Sequence, residues 1–84
     1  MSKVNLKLEY QDKDGSVLKV FIKEIESSYT PHKSMVFHGD DYTFEARDIY
    51  FDLDDGTISV RFVESYVQEE SAWDFLKTRG WQQL

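Results

Sequence analysis

The sequence predicts a small α+β domain in which a mostly antiparallel five-stranded sheet carries one C-terminal helix packed on one face. Two Asp-Gly pairs, at 14–15 and 55–56, separate segments in which apolar and polar residues alternate; such pairs favour tight hairpin turns. The residues between Ser71 and Gly80 have the spacing of an amphipathic helix instead. A chain of 84 residues has room for one hydrophobic core, so we expect residues 1–84 to form a single domain.

The segment from Asp48 to Val63 predicts a hairpin with a two-residue turn at Asp55-Gly56. Glycine adopts the positive φ that a type I′ turn requires. Directly opposed residues share one side of a sheet, so this register collects the apolar side chains on one face. The predicted pairs are Leu53 with Ile58, Phe51 with Val60 and Ile49 with Phe62 on that face, and Asp52 with Ser59, Tyr50 with Arg61 and Asp48 with Val63 on the other. A slip by one residue would mix the faces, which burial opposes.

The N-terminal segment predicts another hairpin, with strands at about 3–11 and 17–25. A three-residue loop, Lys13-Asp14-Gly15, suits a type I turn followed by a bulge with Gly15 in the left-handed conformation. The resulting pairs are Tyr10 with Leu18, Leu8 with Val20, Leu6 with Ile22 and, on the opposite face, Glu9 with Lys19. This register places Val17 and Phe21 on the outer face of the sheet.

The middle of the chain connects the two hairpins. Residues 27–34 hold the only proline and several small polar residues, and they predict a loop. Short apolar segments at 35–37 and 42–46 flank a turn at 38–41 and could form a third hairpin. The inward parity changes between Ala46 and Ile49, so we expect a bulge near Arg47 within one bent strand. The last strand is expected to continue past Phe62 towards Val67.

The C-terminal segment predicts the helix. Ser71 can cap its first turn, and Asp74 three residues later completes a capping box. Gly80 is expected to end it. Its apolar stripe consists of Ala72, Phe75 and Leu76, with Trp73 on its flank. Since so short a helix is marginal alone, this stripe must pack on the sheet. Trp81 and Leu84 are then expected to fold back as a tail.

Composition limits the classes of function. The net charge is −6, from 10 Lys or Arg against 16 Asp or Glu, whereas non-specific nucleic-acid binding needs a basic excess. The same sign disfavours anionic membranes. The chain has no cysteine, which fits a reducing compartment. No apolar run approaches the ~20 residues that span a bilayer, and the alternating N-terminus differs from a signal peptide. We expect a cytoplasmic protein without a cofactor.

The run FDLDDGTI, Phe51 to Ile58, resembles the first motif of haloacid-dehalogenase-type phosphatases. In that family an aspartate after a hydrophobic strand is the nucleophile, and an aspartate two residues on is the acid. The run departs from the motif by one inserted residue between Asp54 and Gly56. The resemblance implies a much larger fold, with a parallel sheet and a downstream Lys. Only 26 residues of this 84-residue chain follow Ile58, and the hairpin accounts for the same residues, so we predict no enzymatic activity.

Two metal hypotheses follow from the carboxylates and histidines. Loop carboxylates suit Ca²⁺ or Mg²⁺, and the candidates are Asp40, Asp41, Asp48, Asp52, Asp54 and Asp55. They do not match an EF-hand loop, since its fifth position, counted from Asp52, is Gly56. His32 and His38 with Asp40 could instead form a weak metal, small-ligand or acid–base site. We predict solvated turn residues in both cases, and no metal.

The favoured hypothesis is a non-enzymatic protein-interaction module, such as an adaptor, inhibitor or immunity-type protein. It would bind a partner protein, or a second copy of itself, through an aromatic outer sheet face with an acidic rim. The candidate contact residues are Val17, Phe21, Tyr50, Arg61, Val63, Asp52, Asp54 and Asp55. Tyr50 opposite Arg61 could form a cation–π pair. Alternatively, the carboxylates of residues 40–55 could imitate nucleic-acid phosphates and inhibit a DNA- or RNA-binding protein.

Overall fold

The computed structural model describes residues 2–27, 31–32, 34–39, 42–65 and 70–84. In chain order its elements are β1 (Ser2–Gln11), β2 (Val17–Ser27), β3 (Val36–Gly39), β4 (Tyr42–Glu45), β5 (Asp48–Phe51), β6 (Ile58–Ser65), α1 (Glu70–Thr78) and β7 (Gln82–Gln83). Five strands form one sheet in the order β5-β6-β1-β2-β7, and β3 with β4 forms a separate two-stranded ribbon. The α+β class is confirmed.

The sheet is mixed, so the prediction of a mostly antiparallel sheet is wrong. Both predicted hairpins form, with β1 antiparallel to β2 and β5 antiparallel to β6. They join through β1 and β6, which run parallel over eight residue pairs from Val4–Ile58 to Gln11–Ser65. Turn residues predict pairing between strands that follow each other in the chain. A parallel pair needs a long crossover connection, which has no such local signal.

The first hairpin has the predicted loop but a different register. Gly15 has a φ of 88°, and the Asp12 N–H donates to the Ser16 carbonyl at 2.9 Å, which closes the three-residue loop. A bulge follows, because Gln11 pairs with Val17 whereas Tyr10 pairs with Lys19. The bulge shifts the register by one residue, and a shift of one reverses the faces of a strand. Leu8 therefore lies opposite Phe21 instead of Val20.

One face of the sheet is covered by the ribbon and the helix together. Phe37 and Phe44 of the ribbon pack against Phe62 with ring centroids 5.1 and 5.8 Å apart. Trp73 of α1 stacks on Phe21 at 5.6 Å. The buried sheet side chains beneath them are Val4, Leu6, Leu8, Tyr10, Phe21, Ile58, Val60 and Phe62. The sequence had assigned this cover to the helix alone.

The ribbon also shows where the middle of the chain departs from the predicted bent strand. The predicted third hairpin exists, with Val36 opposite Glu45 and Gly39 opposite Tyr42. The chain leaves the ribbon after Glu45 and enters the main sheet at Asp48. The Ala46 N–H donates to the carbonyl of Met35, the residue just before β3. The change of parity is therefore a break between two sheets, and the prediction of one bulged strand is wrong.

The helix ends as predicted. Gly80, with a φ of 90°, follows the last turn, and the Trp81 N–H donates to the Leu76 carbonyl at 3.1 Å. The Gly80 N–H donates to the Lys77 carbonyl at 3.2 Å, and the two bonds together form a Schellman motif. The Lys23 ammonium, on the covered face, donates to the Arg79 carbonyl at 2.6 Å. A lysine at this place is favourable because the C-terminus of a helix carries partial negative charge.

The predicted C-terminal tail folds back as β7, an edge strand of the main sheet. Gln82 and Gln83 pair with Ile22 and Phe21 of β2. Trp81 is buried with 4% of its surface exposed, whereas Leu84 is exposed.

Some predictions lie outside the described residues. They concern Asp40, Asp41, residues 28–30 and 33 of the predicted loop, and the extension of the last strand to Val67. The side chains of Ser71 and Ala72 are also outside this range. The helix itself begins at Glu70, one residue before the predicted cap. Among the described residues, no helix has both the length and the apolar character needed to cross a membrane.

Gly39 of the ribbon is a position where we expect the added methyl group of alanine to destabilise the fold. The ring of Tyr42 lies over Gly39, and a Cβ there would overlap it. The ring is held in place, because its hydroxyl accepts from Trp81 Nε1 at 3.2 Å and its edge meets Phe75. We expect Gly39→Ala to lower the free energy of unfolding by about 1–2 kcal/mol, measured by urea denaturation. Thr43→Ala, an exposed position of the same ribbon, is the control and should change it by less than about 0.5 kcal/mol; equal losses would contradict this account.

Candidate protein-interaction surface

The β5–β6 hairpin turns through a six-residue loop, Asp52 to Thr57, that its aspartates hold together. Asp52 Oδ1 accepts from the backbone N–H groups of Asp54 and Asp55, at 2.8 and 3.3 Å. Asp55 Oδ1 accepts from the Thr57 N–H at 2.8 Å. Gly56 has a φ of 73°, the left-handed conformation that glycine adopts without strain. The turn residues identified in the sequence therefore do form the turn.

The loop is longer than predicted. This changes which residues of β5 and β6 lie opposite each other, but not the face of the sheet on which each side chain lies. Phe51 lies opposite Ile58 and Ile49 opposite Val60, whereas the two-residue turn had placed each two positions further along β6. A shift of two residues returns every side chain to the same face. The division into apolar and polar faces is thus confirmed, and the predicted register is wrong. Tyr50 faces Ser59 and not Arg61, so the predicted cation–π pair is wrong as well.

The longer loop leaves three large apolar side chains exposed where the sequence predicted two of them in the core. Tyr50 is 56% exposed, Phe51 60% and Leu53 89%. Leu53 lies in the loop and no longer opposes Ile58. Residues 50–55 are called the hairpin tip below. The tip therefore carries both these exposed apolar side chains and the carboxylates of Asp52, Asp54 and Asp55.

The tip is acidic as well as apolar. Two of its carboxylates also serve the turn, and the Thr57 hydrogen bonds lower the pKa of Asp55 below its ordinary value. Asp54 is exposed. The Asp55 carboxylate is therefore charged at neutral pH, and the tip carries negative charge beside its apolar side chains.

The face of the sheet opposite the ribbon carries an ion network. Arg61 donates through Nε and Nη2 to the two carboxylate oxygens of Glu9, each at 3.0 Å, and through Nη1 to Asp48 at 2.8 Å. Lys7 lies 3.5 Å from the same Glu9 carboxylate. Glu9 is only 5% exposed, and these donors lower its pKa although burial opposes the change. The network links β1, β6 and β5 and fixes the strand that bears the tip.

The predicted contact residues do not form one surface. Phe21 is fully buried beneath Trp73, so its predicted place on the outer face is wrong, because of the bulge in the first hairpin. Val17 is 47% exposed at the start of β2. Arg61 and Val63 lie on the face opposite the ribbon, where Arg61 is engaged by carboxylates and Val63 pairs with Glu9. Tyr50, which pairs with Ser59, lies on that same face, and the tip aspartates follow it in the chain.

Among the described residues, the structure does not bring His32 and His38 together with a third ligand. Asp40 lies outside the described residues. His38 borders a cavity of about 120 Å³ between the ribbon and the sheet, with Lys23, Tyr42 and Trp81 among its other lining residues. His32 lies in the connection before the ribbon. Within the part of the chain that the structure describes, no three His, Asp or Glu side chains form a group that could hold a metal.

A shallow groove of about 650 Å³ lies on the face opposite the ribbon. Its lining includes Asn5, Lys7, Ile22, Glu24 and Ser59. Its charged lining residues, Lys7, Lys23 and Glu24, include both signs. The groove lacks the set of convergent polar groups that marks a small-molecule site.

Sequence reasoning missed Phe51 and Leu53 as surface residues and Glu9 as a buried ion. The signal for the first two was present in Asp52, whose side chain competes for backbone N–H groups and widens the turn. Glu9 had no comparable signal, since its cover depends on a parallel strand distant in sequence. No protein-family model, no curated protein and no solved structure matches the chain.

Proposed function

We propose that this chain is a small, acidic, non-enzymatic protein-interaction module that binds its partner through the hairpin tip. The observation that carries the proposal is the exposure of Tyr50, Phe51 and Leu53, at 56%, 60% and 89%. Aromatic residues such as Tyr and Phe are enriched at protein interfaces. They are exposed within four consecutive residues, with Tyr50 and Phe51 on opposite sides of β5, and exposed apolar side chains cost solubility unless a partner covers them.

Three further features support the tip as a binding surface. Its loop is closed by the hydrogen bonds of Asp52 and Asp55, which lowers the entropy lost on binding. Its strand is held to the sheet by Arg61 and Asp48. Its aspartates place negative charge beside its apolar side chains, and interfaces combine apolar contacts with polar ones at their rim. An adaptor, an inhibitor and an immunity-type protein would each use such a surface.

Site-specific photo-crosslinking tests the proposal. A benzoylphenylalanine at position 51 of the full chain should give a discrete crosslinked product in an extract of the host cell. Position 36 is the matched control, since Val36 is 46% exposed on the ribbon, and should give none. The purified partner should then bind Tyr50→Ser/Leu53→Ser at least about tenfold more weakly than the parent chain, and should bind Val17→Ser unchanged. Equal products from both positions, or undiminished binding by the double variant, would refute the proposal.

A further inference from the structure

The tip belongs to an edge strand whose outer side is unpaired within the described residues. β5 ends the sheet order β5-β6-β1-β2-β7. The Asp52 N–H donates to the carbonyl of Thr57, the residue just before β6, at 2.8 Å. Hydrogen bonding alternates along an antiparallel strand, so Tyr50 is directed towards β6 and the backbone groups of Ile49 and Phe51 are directed away from it. Those groups are ready to pair with another strand.

The side chains of β5 set the pattern that an added strand would need. Phe51 and Ile49 lie on the apolar side, with Phe51 60% exposed. Tyr50 and Asp52 lie on the other side, where an aromatic ring and a carboxylate both favour a cation. Residues opposite each other on neighbouring strands share a face. An added strand therefore needs apolar residues alternating with basic ones.

Charge also decides between a second copy of this chain and another protein. Each copy carries a net charge of −6, and the tip adds Asp54 and Asp55 to Asp52. Two such surfaces repel, whereas a segment with Lys or Arg is attracted and oriented by the same charges.

Resting on the function proposed above, we propose that β5 takes up an extended segment of its partner as an added antiparallel strand, and that this segment alternates apolar residues with Lys or Arg. Main-chain hydrogen bonds to Ile49 and Phe51 would supply the pairing, and the alternation would supply the specificity. The interface is small, which is typical of transient recognition.

Designed octapeptides test the proposal on the full chain. An acetylated, amidated peptide that alternates Lys with Val or Ile is the probe, and its Glu counterpart is the charge control; calorimetry gives both affinities. We expect the Lys peptide to bind at least about tenfold more tightly than the Glu peptide. In the complex, the amides of Ile49 and Phe51 should gain protection from hydrogen exchange, and the amide of Tyr50 should change little.

N-methylated versions of the Lys peptide separate strand addition from side-chain contact. In the proposed register the apolar residues of the peptide direct their N–H groups towards β5. N-methylation of the Val and Ile positions should therefore abolish binding, and N-methylation of the Lys positions should leave it largely intact. Equal effects of the two patterns, no preference for Lys over Glu, or no binding by any peptide would overturn the added strand. The added strand would also be overturned if the chain without peptide dimerised through Phe51 and this dimer protected the amides of Ile49 and Phe51 from hydrogen exchange. None of these results would remove a crosslink at position 51, so failure here is distinguishable from failure of the proposed function.

Discussion

Replacing Phe21 with alanine is expected to lower the free energy of unfolding by about 3–5 kcal/mol, the usual range for truncating a buried phenylalanine. Phe21 has no exposed surface. Its ring stacks on Trp73 at 5.6 Å and meets the edge of Tyr10 at 6.2 Å. Alanine would leave a cavity where β1, β2 and α1 meet. Urea denaturation followed by tryptophan fluorescence measures the loss, because Trp73 reports on this part of the core.

Phe51→Ala is the matched control for Phe21→Ala. It removes the same atoms from a strand of the same sheet, but Phe51 is 60% exposed. The expected change is below about 0.5 kcal/mol. The comparison also tests the register of the first hairpin, since the register without the bulge would expose Phe21. A small loss for Phe21→Ala, or equal losses for the two variants, would contradict the packing described above.

The first hairpin shows how far local sequence carries a fold. Asp14 and Gly15 predicted the loop correctly, because the positive φ and the Asp14 hydrogen bond to the Ser16 N–H are local properties. The bulge at Leu18 does not follow from local sequence properties of this kind. It turns Phe21 inward onto Trp73, and so exchanges a small apolar contact for a large aromatic one. That preference depends on a helix more than 40 residues away in the sequence, as the separation of residues 21 and 73 shows.

For the candidate surface, the sequence predicted which residues share a face of β5, but it did not predict the length of the loop. Alternation placed Ile49 and Phe51 on one face and Tyr50 on the other, and the structure confirms it. The Asp-Gly pair suggested the shortest turn, whereas Asp52 accepts two backbone N–H groups and closes a loop of six residues. The loop gains three residues before the predicted turn and one after it, which removes Leu53 from the core and exposes the tip. The exposed tip thus arises because the Asp52 side chain binds backbone N–H groups that would otherwise pair with the neighbouring strand.

The parallel contact between β1 and β6 is the feature that the sequence concealed. Alternation along β1 predicted its buried side correctly, from Val4 to Tyr10. Alternation cannot identify which strand lies alongside, since any strand of matching pattern would serve. The pairing has one chemical consequence besides packing. It brings Glu9 next to Arg61, although 52 residues separate them in the sequence.

Arg61→Leu is expected to lower the free energy of unfolding by about 3 kcal/mol at neutral pH. Removing one partner of a buried ion pair leaves the other charge uncompensated, at a cost of about 3–5 kcal/mol for fully buried pairs. The Arg61 side chain keeps 29% of its surface exposed whereas that of Glu9 keeps 7%, which favours the lower end. The double variant Glu9→Gln/Arg61→Leu should recover part of the loss, because the amide carries no charge. Equal stabilities of the single and double variants would contradict this role for Glu9.

The pH dependence of the same variants has a defined sign. Hydrogen bonds from Arg61 hold the pKa of Glu9 below its ordinary value of 4.5. The stabilising contribution of Glu9 is therefore present above that value and is lost as the pH falls through the lower pKa of the folded state. Burial raises the pKa of Glu64, which acts in the opposite direction, so the parent chain should be compared with Glu9→Gln at each pH. The stability advantage of the parent should shrink below pH 4.5. In Arg61→Leu the largest influence that lowers the pKa of Glu9 is lost, and burial, which raises it, is opposed only by Lys7 and Gln11. The stability deficit of that variant should therefore be largest at neutral pH and decrease on acidification. A deficit that grows on acidification would show that Arg61 acts through packing and not through the charge of Glu9.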